Sequence, residues 1–313
     1  MTAVLAARAL VGIGVGIIMP LSTGLLPFYF SAGMQNKLMG YSSAASQIGG
    51  VIATFASGML AQISWRASFL VYLMGLIAML LCVIFLPNDD ISVSREQINA
   101  HDAAVSADRL PLAQLVPLVA AIFLLMTSFF LYPSSFAMET SKAGLIPAAA
   151  VTVIMTAMDL AGFFSSFFFD NIIRFFGART RLVAPSLFLL AYVLLSLSDG
   201  WFCVVTGSLL VGVVQGAGMP FIMATAARRG GHSAASTVMP YLSAFLYLAQ
   251  FSVPVLLGTA RTLAAPLALT HVPWLFGIAV SALLLLWSAF MLREPRKAVQ
   301  KSQRVPAANQ AQL

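Results

Sequence analysis

Apolar residues run along this chain in long blocks, each about the roughly 20 residues that a helical membrane crossing needs, and polar residues collect in the breaks between them. Nine blocks can be marked off, at 1–26, 40–62, 66–86, 112–133, 145–168, 180–198, 201–226, 234–259 and 270–292. Each predicts a transmembrane helix. One break is long: Pro87 to Pro111 carries Asp89, Asp90, Arg95, Glu96, His101, Asp102, Asp108 and Arg109, and it divides the chain into three helices and six. The expected organisation is a partial N-terminal half at 1–86, a central loop at 87–111, a six-helix half at 112–292 and a basic tail at 293–313.

Composition sharpens this picture. The 313 residues are 60% apolar and only 9% charged, with a mean hydropathy of +0.93. Soluble domains run nearer 45–50% apolar and about 25% charged, so a soluble globular fold is excluded. Disorder is excluded as well, because so few charges cannot keep this much apolar surface in water. The predicted class is therefore an all-α polytopic membrane protein with the lipid bilayer as its solvent. Cys82 and Cys203 both lie within apolar runs and offer neither a disulfide framework nor a metal-ligand spacing. No metal or cofactor is expected.

The net charge of +7 acquires meaning only from its placement. On alternate sides of the nine blocks, one side holds Lys37, Arg95, Arg109, Arg174, Arg179, Arg181, Arg228, Arg229, Arg293, Arg296, Lys297, Lys301 and Arg304, and the other only Arg66, Lys142 and Arg261. Positive residues mark the cytoplasmic face, so the central loop and the C-terminal tail are expected in the cytoplasm. The basic tail is then a topology signal and not a nucleic-acid arm. Nine crossings would leave the N-terminus outside. Met1, however, falls inside an apolar run with no basic flank and no cleavage site, which is not a signal peptide and reads as a cut end. Arg8 strengthens that expectation, since the seven residues before it supply only about 10 Å of helix.

An internal repeat links the two parts. Leu10 to Pro20 reads LVGIGVGIIMP and Leu210 to Pro220 reads LVGVVQGAGMP; Leu10, Val11, Gly12, Gly16, Met19 and Pro20 recur as Leu210, Val211, Gly212, Gly216, Met219 and Pro220. Gly58 and Gly258 preserve the same offset of 200 residues. Repeats of this kind are common in transporters. If the first block pairs with the seventh, two halves of equal topology repeat every six helices, and the first half lacks its first three.

A six-plus-six parallel repeat with a long cytoplasmic central loop resembles the major facilitator superfamily, with the chain aligned to that family's helices four to twelve, an incomplete form of the fold. Arg8, Gly12, Gly14, Gly16 and Pro20 resemble the fourth-helix motif of its drug/proton antiporters, which implies that Arg8 contributes to proton coupling. An arginine in hydrocarbon needs a cavity or a partner, unless it snorkels to water. Glycines four apart, Gly12 with Gly16 and Gly212 with Gly216, let a neighbouring helix approach closely. Gly40, Gly49 and Gly58 stand at the spacing of the antiporter signature on the fifth helix, also as packing positions. There the central Gly-Pro pair is replaced by Ala53 and Thr54 and the penultimate glycine by Ser57, which leaves uptake open beside export. Asp170, Arg174, Gly177, Arg179 and Arg181 resemble the second-half copy of the family's cytoplasmic loop motif. The resemblance implies helix-end and interdomain charge pairs that break as the halves rock.

Asp159 precedes Asp170 by 11 positions, about 16 Å of rise and about 20° of rotation in one helix, so it is expected near mid-bilayer on the same face. A carboxylate there is costly when charged and can exchange a proton as hydration changes. It is the expected proton or cation-substrate site. Gln47, Gln215, Tyr247 and Gln250 are polar groups at helix depth and candidates for a substrate cavity; interhelical hydrogen bonds are the plainer reading of each. Tyr241 is a further polar group of this kind. Phe163, Phe164, Phe167, Phe168 and Phe169 are expected to face lipid or pack helices, and Pro254 to kink its helix.

No HExxH, GxxxxGK[ST] or GxSxG pattern occurs, and His101, His232 and His271 are scattered, so an enzyme is not expected. The reading is a proton-coupled secondary transporter that exports small hydrophobic or amphiphilic molecules, with a metabolite uptake carrier and a truncated, non-transporting fragment as alternatives. The resemblance further implies a small-molecule substrate, protons as coupling partner, the bacterial inner (plasma) membrane, and a monomer for the full-length chain.

Overall fold

The computed structural model describes residues 2–29, 32–85, 112–144, 146–197, 200–230, 238–267 and 271–293. The central loop and the basic tail beyond Arg293 lie outside these residues. Among the described residues helix is the only regular secondary structure, with short turns between helices. The α-helices, in chain order, are α1 (Thr2–Tyr29), α2 (Ala32–Ile63), α3 (Met74–Phe85), α4 (Leu112–Ala143), α5 (Ala148–Phe167), α6 (Phe169–Phe176), α7 (Thr180–Ser196), α8 (Trp201–Gly230), α9 (Met239–Ala264) and α10 (Val272–Arg293), and a 3-10 helix at Ala67–Leu73 leads into α3.

Each of the nine predicted blocks meets a helix. Among the described residues seven helices are long and apolar enough to span a bilayer, and up to eight if α6 and α7, bent by 109° to one another, are one span. α1 spans 28 residues and includes the apolar stretch Leu5–Met19. The predicted ends shift where polar residues continue a helix. The fourth block does not stop at Pro133: α4 runs through both Pro117 and Pro133 to Ala143, since a proline inside a packed membrane helix finds its freed carbonyl other partners. α2 likewise begins at Ala32, eight residues before the expected start, and carries Lys37.

The surface is apolar. Leu5, Ile63, Val83, Phe202, Phe251, Leu263 and Leu286 are each at least two thirds exposed, the inverse of a soluble protein and the arrangement a lipid solvent rewards. The tight core lies in the second half, among α4, α5, α7, α8, α9 and α10. Tyr132 stacks on Phe136 with centroids 4.6 Å apart, and Trp274 lies 6.4 Å from Tyr132 and 6.3 Å from Tyr192. Both buried hydroxyls are satisfied: Tyr132 donates to Ser208 Oγ at 2.7 Å, and Tyr192 donates to the Ser128 carbonyl.

Among the described residues, α2 joins this core mainly along a seam with α5 and also meets α8, while α1 meets α9. On α2, Gly40, Ser43, Gln47, Gly50, Thr54 and Gly58 recur every three or four residues, the spacing of a single helix face, and all are small or polar. They meet an equally spaced row on α5, running antiparallel. Ser43 Oγ lies 3.0 Å from Ser166 Oγ, and a Cβ built at Gly40 would stand 3.0 Å from the Ser166 carbonyl oxygen. Gly58 is pressed against Thr152, and Gln47 against Gly162. Small residues bring the backbones close, so hydroxyls and amides can reach across.

Candidate functional site

Near the middle of the seam, Thr54 Oγ1 donates a hydrogen bond of 2.9 Å to Asp159 Oδ2. The donor comes from α2, before the central loop, and the acceptor from α5, after it. Asp159 is the twelfth residue of α5, about 17 Å along its axis, and is partly buried. Among the described residues it has no ion-pair partner, so Thr54 is its one hydrogen-bonding side chain there. Thr54 stands where a Gly-Pro pair was expected by resemblance; a proline has no hydroxyl and could not make this bond. Sequence reasoning missed Thr54, and the only signal for it was a hydroxyl at helix depth.

Arg8 is not brought to Asp159. Its guanidinium lies 5.9 Å and 5.7 Å from the ring centres of Phe69 and Tyr72, which are stacked on one another. Cation–π contacts of this kind hold a charge beside apolar surface without a counter-ion. Arg8, Thr54, Ser57 and Ser68 line one cavity of about 780 Å³ that passes along the α2 side of the seam.

A second cavity, of about 320 Å³, gathers Gln47, Gln215, Tyr247 and Gln250 from α2, α8 and α9. Five methionines and three serines complete most of its wall. The Gln215 side chain is buried, at 7% exposure, and its Nε2 lies 4.0 Å from Met126 Sδ and 3.9 Å from Met219 Sδ. Its Oε1 is buried with no hydrogen-bond partner among the described residues.

α5 mediates between the seam and α8. Ser165 donates to the Val213 carbonyl at 2.7 Å and Ser166 to the Gly216 carbonyl at 2.8 Å. With its proton so used, Ser166 accepts from Ser43, and a relay of hydroxyls ties α2 to α8 through α5. Gly212 and Gly216 sit directly over the Met158 and Gly162 carbonyls, so that any side chain at either would collide with backbone. At Gly12, Gly16 and Gly49 no described atom lies within 4 Å of a Cβ position.

Part of the loop motif lies on α6 and at its ends. The helical phase relating Asp159 to Asp170 is interrupted at Phe168 (φ −89, ψ 13), where α5 gives way to α6. Asp170 pairs with Arg174 at 2.9 Å within α6, a helix-end charge pair of the kind expected. Such exposed i,i+4 pairs contribute only about 0.3–0.5 kcal/mol. Lys37 of α2 shares a groove with Asp170, Asn171 and Arg174. Gly177 ends α6 at φ +53, ψ −129, a conformation open to glycine and strained for other residues, and this lets the chain turn into α7 through Arg179. Arg181 lines a small apolar cavity of about 80 Å³ with Trp287 and Thr180. Of the five phenylalanines, Phe169 is fully buried, whereas Phe164, Phe167 and Phe168 are about half exposed.

A charged cluster that the sequence placed in loops lies at the opposite end. Glu139 Oε1 accepts from Arg261 Nη2 at 3.1 Å and from Lys142 Nζ at 3.3 Å, its side chain only 11% exposed. The expectation that block four ends at Pro133 and block eight at 259 hid this contact between α4 and α9. Among the described residues no group of three or more His, Cys, Asp or Glu could hold a metal ion.

A family model described as Major Facilitator Superfamily matches residues 1–254. No curated protein matches the chain.

Proposed function

The chain belongs to the major facilitator superfamily, and from that premise we propose that it is a proton-coupled secondary transporter that exports small hydrophobic or amphiphilic molecules by alternating access. Membership makes it an integral multi-pass membrane protein and a transporter of small molecules. Proton coupling and direction are our reading. The observation that carries it is the Thr54–Asp159 hydrogen bond. It joins the two halves across the seam at mid-helix depth, so the charge on one carboxylate bears directly on how firmly they are held together.

An ionised carboxylate accepts strongly from Thr54, and protonation weakens that acceptor. Loading a proton on Asp159 therefore loosens the seam and favours rocking of α2 against α5; losing it to the other side restores the bond. The Ser43–Ser166–Gly216 relay supplies a neutral set of hydrogen bonds that keeps the helices in register meanwhile. The cavity formed by Gln47, Gln215, Tyr247 and Gln250 is the proposed substrate site. Arg8, held over Phe69 and Tyr72, lies on the cavity that reaches Thr54 and is assigned to the proton's surroundings, not to a direct ion pair.

The test is uptake into liposomes driven by an imposed pH gradient, with the native chain beside Asp159→Asn. The asparagine keeps the shape and a hydrogen-bond acceptor but cannot exchange a proton. The variant is expected to lose pH-driven accumulation while still equilibrating substrate down its own gradient. Unchanged accumulation in it would end the proton assignment. A second reading, uptake of a small metabolite, is favoured by Ala53 and Thr54 standing in place of the signature's Gly-Pro. Direction is read from whether a fluorescent substrate falls or rises in cells expressing the protein.

A further inference from the structure

We propose that the cavity among α4, α7, α8 and α10 is a binding site for a small anionic amphiphile: a carboxylate with one short apolar tail, its head on the Arg181 guanidinium and its tail between the helices. The lining is graded along the helix axes. At the outer end stand Thr180 and Arg181, the first two residues of α7, with Thr225 of α8 and Ser288 of α10. One to two turns deeper the wall is Leu125, Gly218 and Leu284. Apolar groups gain by leaving water at the deep end, and a guanidinium takes a carboxylate through two parallel charge-assisted hydrogen bonds. Such a lining fits a molecule that has both parts, in one orientation.

Charge, size and rigidity each point the same way. Arg179 immediately precedes α7, Arg228 and Arg229 stand in the last turn of α8, and α10 ends at Arg293, so the ends of these helices carry positive charge that draws an anion to the cavity mouth. The cavity measures about 80 Å³. A water-sized group needs about 10–15 Å³, so roughly five to eight of them fit, which suits one short tail and not the two chains of a phospholipid. Trp287 Nε1 donates to the Pro117 carbonyl at 3.3 Å, pinning the indole as a wall between α10 and α4. A wall ordered beforehand spares a ligand the cost of ordering it.

This site is distinct from the one assigned to substrate. α4 and α8 are the partition: Leu125 and Gly218 line the cavity of Arg181, and their neighbours Met126 and Met219 line the cavity of Gln215. The proposal therefore does not rest on the proton or substrate assignments.

The experiment is equilibrium dialysis of the purified full chain in detergent, with protein-free micelles as the blank, against hexanoate and hexan-1-ol, which share a tail length and differ in charge. Hexanoate is expected to bind saturably and at least about tenfold more tightly than hexan-1-ol, the difference that a hydrogen bond to a charged group makes. Arg181→Gln should remove that difference and leave hexan-1-ol binding as it was. Ala184→Leu, which puts a larger side chain into the cavity, should abolish binding of both. Thermal unfolding is followed in each variant, and either one suffices if the other fails to fold. No saturable hexanoate binding, equal affinity for the two probes, unchanged preference in Arg181→Gln, or undiminished hexanoate binding in Ala184→Leu would each overturn the proposal. So would displacement of hexanoate by phosphatidylglycerol or by inorganic phosphate, which would give the site to a lipid or to a bare anion.

Discussion

The two copies of the repeated motif differ in what covers them. On α8, Gly212 and Gly216 lie against the carbonyls of Met158 and Gly162, and the neighbouring serines of α5 bond to the carbonyls of Val213 and Gly216. On α1, Gly12, Gly14 and Gly16 have no described atom within 4 Å of their Cβ positions, and the helix touches α9 and α2 instead. Among the described residues, identical glycine spacing meets a closely packed neighbour in one copy and none in the other. The motif supplies permission for two backbones to approach; a helix with its own small or hydroxyl-bearing row must be present to use it. The same contrast marks the helices of the two halves: α4 and α8 bury about half of their apolar windows, at 44% and 56%, whereas α2 buries 6%, and α2 meets the second half chiefly along α5, with further contacts to α8.

The sharpest way to break this comparison is one substitution made in both copies. Gly216→Val drives a branched side chain into the Gly162 backbone, which has nowhere to move, and should cost upward of about 3 kcal/mol, the top of the range for overpacking. Gly12→Val meets no described atom and should stay within about 0.5 kcal/mol of the native chain, as surface changes do. Thermal unfolding of the purified proteins compares them directly. Equal losses in the two variants would show that the copies are packed alike.

A smaller effect is expected at the seam. Thr54→Val conserves shape and removes the one donor to Asp159. It should leave the fold intact and shift the pH dependence of transport, changing the rate by up to about tenfold, in line with one hydrogen bond to a charged group. If the pH profile of Thr54→Val superimposes on that of the native chain, the bond plays no part in coupling. The smallest effect belongs to α1. Arg8→Gln removes two cation–π contacts worth about 0.5–1 kcal/mol each at exposed sites, and should lower the unfolding temperature by only a few degrees. A collapse of folding in that variant would mean that α1 is anchored by Arg8 more firmly than its surroundings suggest.

Much of the seam was visible in the sequence as separate features and invisible as a unit. Gly40, Gly58, Gln47 and Asp159 each attract attention for a local reason: a small residue, an amide or a carboxylate in an apolar run. That Ser43, Gly50 and Thr54 belong with them follows only once α5 is known to lie along that face of α2. Thr54 was even read as a departure from a pattern, because a motif compares positions along one helix and carries no information about what stands opposite. The phase drawn between Asp159 and Asp170 rests on a different assumption. Extrapolating 11 residues of regular helix assumes that nothing interrupts it, yet the helix breaks at Phe168. Glu139 was missed because Pro133 was taken as an end, a rule that holds in water and weakens inside a bundle.

The sequence alone determined the solvent, the helical class, the repeat and the family resemblance. Each follows from sums over about 20 neighbouring residues or from matching positions in one chain, and the need to satisfy every backbone group within lipid leaves few alternatives. Tertiary structure alone decided which glycine row is covered, that Thr54 holds Asp159, and that Gln47, Gln215, Tyr247 and Gln250 share one cavity. These depend on how each helix is rotated and where it crosses its neighbours. In lipid no hydrophobic force fixes that rotation, because every apolar face is equally at home; it is set by close packing of small residues and by hydrogen bonds that exist only after the helices have met.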